Sequence, residues 1–192
     1  MNSMDTNATI SPDVLKQALR LHLFPDREGG GLKTYAVLDG ASIADLLDHL
    51  YGDPRPEFVC LYRGELEPDM AEVAPYLVQL KPEAPFTNWL LTEGWGKHWG
   101  IFALTKADVV AIRKHFRTFL MVKDPNGKQL YFRYYDPRVL RIYLPTCNRM
   151  EANVIFGLVE RFVCEDKKPQ TLLSFRLEDG MPRRETTKLL DG

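Results

Sequence analysis

Cysteine is scarce: Cys60, Cys147 and Cys164 are the only three in 192 residues, they form no C-x-x-C pair, and one is left over. That arrangement argues against both a disulfide framework and a zinc ribbon, and it fits a reducing cytoplasm. Long apolar runs are missing as well. Nothing approaches the roughly 18 residues of a membrane span. Met1–Ser11 has neither the basic nor the apolar part of a secretory signal, so the chain is expected to stay in the cytosol. There is no excess charge of one sign, with 25 Lys and Arg against 26 Asp and Glu and a formal net charge of -1. Nucleic acid is therefore not an expected partner, because such binders carry a basic excess or stripe. The signatures of catalysis and cofactor binding are absent too: no G-x-S-x-G elbow, no H-E-x-x-H, no histidines at metal spacing, no G-x-G-x-x-G and no G-K-[ST] after the Gly29–Gly31 triplet. No catalytic residue, metal or cofactor is expected on these grounds.

What is present is ordinary globular composition, 45% apolar and 27% charged, in a chain long enough to bury a core. Residues 1–10 are small and polar and are expected to be disordered; 11–180 are expected to form a single α/β domain, and 181–192 a mobile tail of mixed charge. Ser11 and Pro12 open a helix that ends near Phe24-Pro25. Thr34–Leu38, Phe58–Tyr62, Tyr76–Leu80 and Trp99–Leu104 are short apolar runs suited to a sheet covered on both faces. Between them lie a helix capped by Ser42, with a stripe of Ile43, Leu46, Leu47, Leu50 and Tyr51, a short acidic helical turn at Pro68–Ala74, and a helix at Phe86–Leu91. Thr105 and Thr146 are read as the caps of two later helices. The alternation predicts a mixed sheet, with parallel-type βαβ units up to Leu104 and antiparallel hairpins after it, at Asp124–Gly127 and Lys167–Gln170, and with helices packed on the sheet.

Leu130–Leu140 is the densest stretch. Its aromatic residues alternate with period two, which predicts a strand buried on both faces that runs into a helix capped by Asp136 and opened by Pro137. Arg133 in such a strand needs an acceptor, since an unpaired buried charge costs roughly 3–5 kcal/mol. Asp136 and Asp39 are the candidates. Asp39, Arg133, Asp136 and Arg138 are accordingly read as structural ion-pair or turn residues, although Asp39 also ends a strand at the sheet edge where α/β folds place ligands. Trp95, Lys97 and Trp99, in a glycine-flanked segment, are the candidates for partner contact, because tryptophan is enriched at interface hot spots.

Phe132–Leu140 and Tyr35–Ala41 resemble the effector-chaperone, or adaptor, family of the bacterial type VI secretion system, which carries a domain of unknown function, 4123. Leu61-Tyr62-Arg63-Gly64, Ala74–Val78, Trp99-Gly100-Ile101 and His115-Phe116-Arg117 follow in the order and approximate spacing of that family, so the resemblance runs from about Tyr35 to Phe156. Members are often longer and carry a helical C-terminal lobe, which this chain is expected to lack or to replace with strands. The resemblance implies a cytoplasmic, non-catalytic adaptor that binds a secreted effector, often through its N-terminal region, and helps load it onto the VgrG spike. The alternative from another class is a small cytosolic hydrolase using Asp39 with a histidine, His98 or His115, or pairing one of these with Glu65 or Asp136.

Overall fold

A computed structural model describes residues 11–25, 31–123 and 126–189, so the expected disorder of 1–10 lies outside the described residues. Its strands are β1 (Lys33–Asp39), β2 (Phe58–Cys60), β3 (Pro75–Leu80), β4 (Gly100–Thr105), β5 (Met121–Lys123), β6 (Gln129–Tyr131), β7 (Arg161–Glu165), β8 (Thr171–Glu178) and β9 (Met181–Lys188). Its α-helices are α1 (Pro12–Leu23), α2 (Leu46–Tyr51), α3 (Pro68–Val73), α4 (Pro85–Trp89), α5 (Val109–Thr118), α6 (Pro137–Tyr143) and α7 (Arg149–Phe156).

Seven strands form one sheet in the order β2-β3-β1-β4-β7-β8-β9, while β5 and β6 pair separately as a hairpin. Residues of the central strands divide by parity. Tyr35, Val37, Leu77, Ile101, Ala103, Phe162 and Phe175 enter one core, with Ile112 and Phe116 of α5, Leu140 of α6 and Ile155 and Phe156 of α7. Ala36, Leu38, Tyr76, Val78, Phe102, Leu104 and Val163 enter the other, with Leu19 and Leu23 of α1, Leu46 and Leu50 of α2 and Phe86 of α4. The expected mixed α/β layering with helices on both faces is therefore present.

The expected parallel units are not. Every neighbouring pair in the sheet is antiparallel. The reason lies in the order of the strands. Since β2 and β1 both run opposite to β3, they share a direction, and β3 and β4 share one because both run opposite to β1. The chain does cross over through α2 and through α4, but each crossover skips a position that an oppositely directed strand occupies, β3 in the first case and β1 in the second. The continuous apolar runs report burial on two faces, which here occurs in an antiparallel sheet.

Local corrections have similarly local causes. Gly40–Ser42 is a 3-10 turn, and α2 begins after Asp45, with Ser42 bonded back to Asp39 instead of capping a helix. Of the expected stripe, Ile43, Leu46 and Leu50 are buried, but Tyr51 is exposed. Asp108, not Thr105, caps α5, accepting from the Ala111 N–H at 2.8 Å, while the Thr105 hydroxyl donates to the Leu158 carbonyl at 2.6 Å. Asn148, not Thr146, caps α7 in a reciprocal box with Glu151. Asn148→Ala should cost about 1 kcal/mol. In a chain of this size that is a fall of about 2–4 °C in thermal midpoint, measurable by circular dichroism.

Two larger differences concern the second half. The strand expected over Leu130–Tyr135 stops at Tyr131, and both Leu130 and Tyr131 are exposed; burial begins only at Tyr134 and Tyr135, in the turn before α6. The tail expected to be mobile from Met181 is β9, paired over eight residues with β8. Its side chains are mostly polar, and it is held by the backbone ladder and by surface pairs such as Arg176–Glu185 at 2.8 Å and Arg183–Glu178 at 2.7 Å.

Candidate functional site

Asp39 closes β1 at the point where three strands converge. Its N–H donates to the Trp99 carbonyl at 2.8 Å, and the next N–H, of Gly40, donates to the Ala74 carbonyl at 3.1 Å. The carboxylate is 1% exposed and accepts hydrogen bonds from the Ser42 hydroxyl at 2.9 Å and from Nη2 of Arg133. Arg133 arrives from the turn between β6 and α6, its side chain about half exposed. The hydrogen bond to Asp39 favours its charged form and raises its pKa further, against the opposing effect of burial. A salt bridge thus ties the turn before α6 to the end of β1.

Asp136 makes a separate pair. It caps α6, accepting from the Arg138 N–H at 2.8 Å and from the Arg138 guanidinium at 2.7 and 3.0 Å. Burial pushes its carboxyl pKa up, but the hydrogen bonds and charge of Arg138 together outweigh that and hold it below the usual carboxylate value. Of the two acceptors open to Arg133, Asp39 is the one that bonds it, and Asp136 is taken by Arg138.

Beside the Asp39–Arg133 pair, Tyr135 is buried and its hydroxyl interacts electrostatically with that of Tyr62, and burial is the main cause that raises both hydroxyls above the ordinary tyrosine value. Tyr62 in turn packs on Tyr131 of β6 with ring centroids 5.0 Å apart. These two rings form part of the wall of an open groove of about 500 Å³, whose apolar lining includes Leu61, Leu66, Met70 and Met121. The charged residues that line it are Arg63 and Arg117. Arg117 is fixed by the chain ending β2: Nε donates to the Leu61 carbonyl at 2.9 Å, and Nη2 to the carbonyls of Cys60 at 3.1 Å and of Tyr62. Leu61-Tyr62-Arg63 and His115-Phe116-Arg117, far apart in sequence, meet here.

The histidines lie elsewhere. His98 pairs with the buried Glu165, whose carboxylate also accepts from the His98 N–H at 2.9 Å; Nε2 of His115 is 2.9 Å from the Ile155 carbonyl; His49 pairs with Asp45 at 3.2 Å. Among the described residues no histidine contacts Asp39, so the Asp39–histidine pair is not formed. Glu65 is exposed on the loop after Arg63. Glu165 is a residue that sequence reasoning misses; its signal is an acidic residue closing the apolar run Phe162-Val163-Cys164, opposite a glycine-rich turn whose N–H groups need an acceptor.

Where the sequence places a candidate for partner contact, the structure has a buried indole. Trp95 is 9% exposed, its Nε1–H donates to the Pro169 carbonyl at 2.6 Å, and its ring stacks on Phe102. Lys97 is exposed, 3.4 Å from Glu93 and over the face of the half-buried Trp99, whose ring packs against Trp89.

A family model described as a domain of unknown function, DUF4123, matches residues 34–153. The chain belongs to that family. DUF4123 is the family that Tyr35–Ala41 and Phe132–Leu140 resemble, and its span takes in Asp39, Arg133, Asp136 and the whole groove lining, leaving β7, β8 and β9 beyond it. No curated protein and no solved structure matches the chain. Among the described residues of this DUF4123 member, no helix is long and apolar enough to cross a membrane, and no group of three or more His, Cys, Asp and Glu side chains could hold a metal ion.

Proposed function

We propose that the chain is a non-catalytic adaptor that binds an effector of the bacterial type VI secretion system in the cytoplasm and helps load it onto the VgrG spike. The observation that carries this is membership of DUF4123 over residues 34–153, a family associated with adaptors and chaperones of such effectors. The exposed groove gives the function a surface to act through, since affinity between proteins is concentrated in a few desolvated aromatic, apolar and arginine contacts.

Pull-down of the tagged protein from a secreting bacterium should identify the effector, and the two purified chains should then form a complex without added nucleotide or metal. The protein alone should turn over neither model esters nor model phosphodiesters. An effector that stays unbound when the purified chains are mixed would defeat the adaptor function, and steady turnover of either substrate would favour the hydrolase that uses Asp39 and a histidine.

A further inference from the structure

The groove between the Leu61–Met70 segment and the β5–β6 hairpin combines two properties that are seldom left together without a partner. Its walls are apolar and open: Met70 and Met121 are each 39% exposed and Tyr131 is 52% exposed. Among the described residues the charged side chains that line it are of one sign, Arg63 and Arg117. Arg113, one turn before Arg117 on α5, adds to that field: after burial, the nearby charge of Arg113 is the main cause that lowers the Arg117 pKa, and Arg63 acts in the same direction.

Among the described residues, none of these three arginines has a carboxylate within ion-pair distance, as is also true of Arg55, Arg141, Arg149, Arg161 and Arg184. The Nε–H of Arg113 is buried with no acceptor. Arg117 commits Nε and Nη2 to three backbone carbonyls, which fixes the plane of its guanidinium and leaves the two Nη1 donors for something outside the fold. A guanidinium held in this way loses little freedom when it takes a carboxylate.

We propose that this groove docks an acidic amphipathic segment of the effector, with apolar side chains against Leu66, Met70 and Met121 and at least one Asp or Glu against Arg63 and Arg117. This rests on the adaptor function proposed above and assigns that function a surface and a partner chemistry. Complementary charge is what selects the occupant: an apolar slot whose charged lining residues, among those described, are both arginines disfavours a basic segment and attracts an acidic one.

The test uses the full chain and the effector recovered by pull-down, first intact and then as overlapping synthetic peptides. The peptides that bind should carry Asp or Glu among apolar residues, and their affinity should fall as salt rises. Arg63→Glu and Met70→Glu alter exposed side chains, so they should leave the thermal midpoint unchanged while weakening binding of the intact effector about tenfold or more. Lys in place of the acidic residue of the peptide should recover affinity for Arg63→Glu and lose it for the unchanged protein. If the unchanged protein and both variants bind the effector equally, or if the peptides that bind are basic, the groove is not the docking surface and the adaptor function survives. If the unchanged protein does not bind the effector at all, the adaptor function falls and the groove proposal falls with it.

Discussion

Arg133→Met should lower the stability of the protein by about 3 kcal/mol, because it strips the main counter-charge from a carboxylate that is 1% exposed and leaves only the Ser42 hydroxyl to solvate it. For a chain of this length that is a fall of about 6–12 °C in thermal midpoint. Arg133 itself is half in solvent, which places the cost at the lower end of what breaking a buried pair involves. The companion variant Asp39→Asn combined with Arg133→Met removes both charges, so the double variant should be more stable than Arg133→Met alone. Binding of the effector by Arg133→Met should fall only in proportion to the folded fraction. Full thermal stability with abolished binding would make Arg133 a contact residue instead of an organising one.

Gly40→Ala should be of similar size, about 3 kcal/mol, for a reason of packing rather than charge. A Cβ built on Gly40 would lie 2.5 Å from the carbonyl oxygens of both Ala74 and Glu72 and 3.0 Å from the Val73 carbonyl carbon. All three are backbone atoms of the segment that leads into β3, so no flexible side chain can move aside. Relief must come from separating β1 from that segment, which also threatens the hydrogen bond from the Gly40 N–H to Ala74 and the placement of Asp39 beside it. Gly64→Ala is the useful comparison. Gly64 has φ +83° and open space around its Cβ position, so substitution there should cost only the backbone strain, about 1–2 kcal/mol. Chemical denaturation of the two variants side by side checks the ranking; equal losses would mean that the close approach at Gly40 relaxes freely.

The partner of Arg133 is legible in the sequence as a matter of necessity: a guanidinium among aromatic residues requires an acceptor, and Asp39 is one of two candidates. The Pro-initiated helices α1, α3 and α6 are legible for a related reason, since a proline in the first helical turn acts locally. Strand direction is not. Phe58–Cys60 and Lys33–Asp39 read identically whether adjacent or separated by β3, and only the long-range order of the sheet decides it. The strand β9 is invisible because Met181–Lys188 offers almost no large apolar side chains; its order comes from backbone bonds to β8, which leave no mark on composition. Trp95 draws attention as a large aromatic between glycines, but its N–H and ring are both engaged within the fold. The groove is hidden for a different reason. Leu61–Met70, Arg117–Met121 and Tyr131 are ordinary stretches taken apart, and the surface exists only once α5 delivers Arg117 to the carbonyls at the end of β2. Its only trace in the sequence is that Leu61-Tyr62-Arg63-Gly64 and His115-Phe116-Arg117 are among the stretches that resemble the family.

The central claim, that this DUF4123 chain acts by carrying one effector to the secretion apparatus, is tested most directly by comparing the proteins exported by a parent strain and by a strain lacking only this gene. Export of a single effector should fall in the deletion strain while general secretion by the apparatus continues, and the unchanged gene supplied in trans should restore it. Loss of all secretion, or export of every effector unchanged, would contradict the claim.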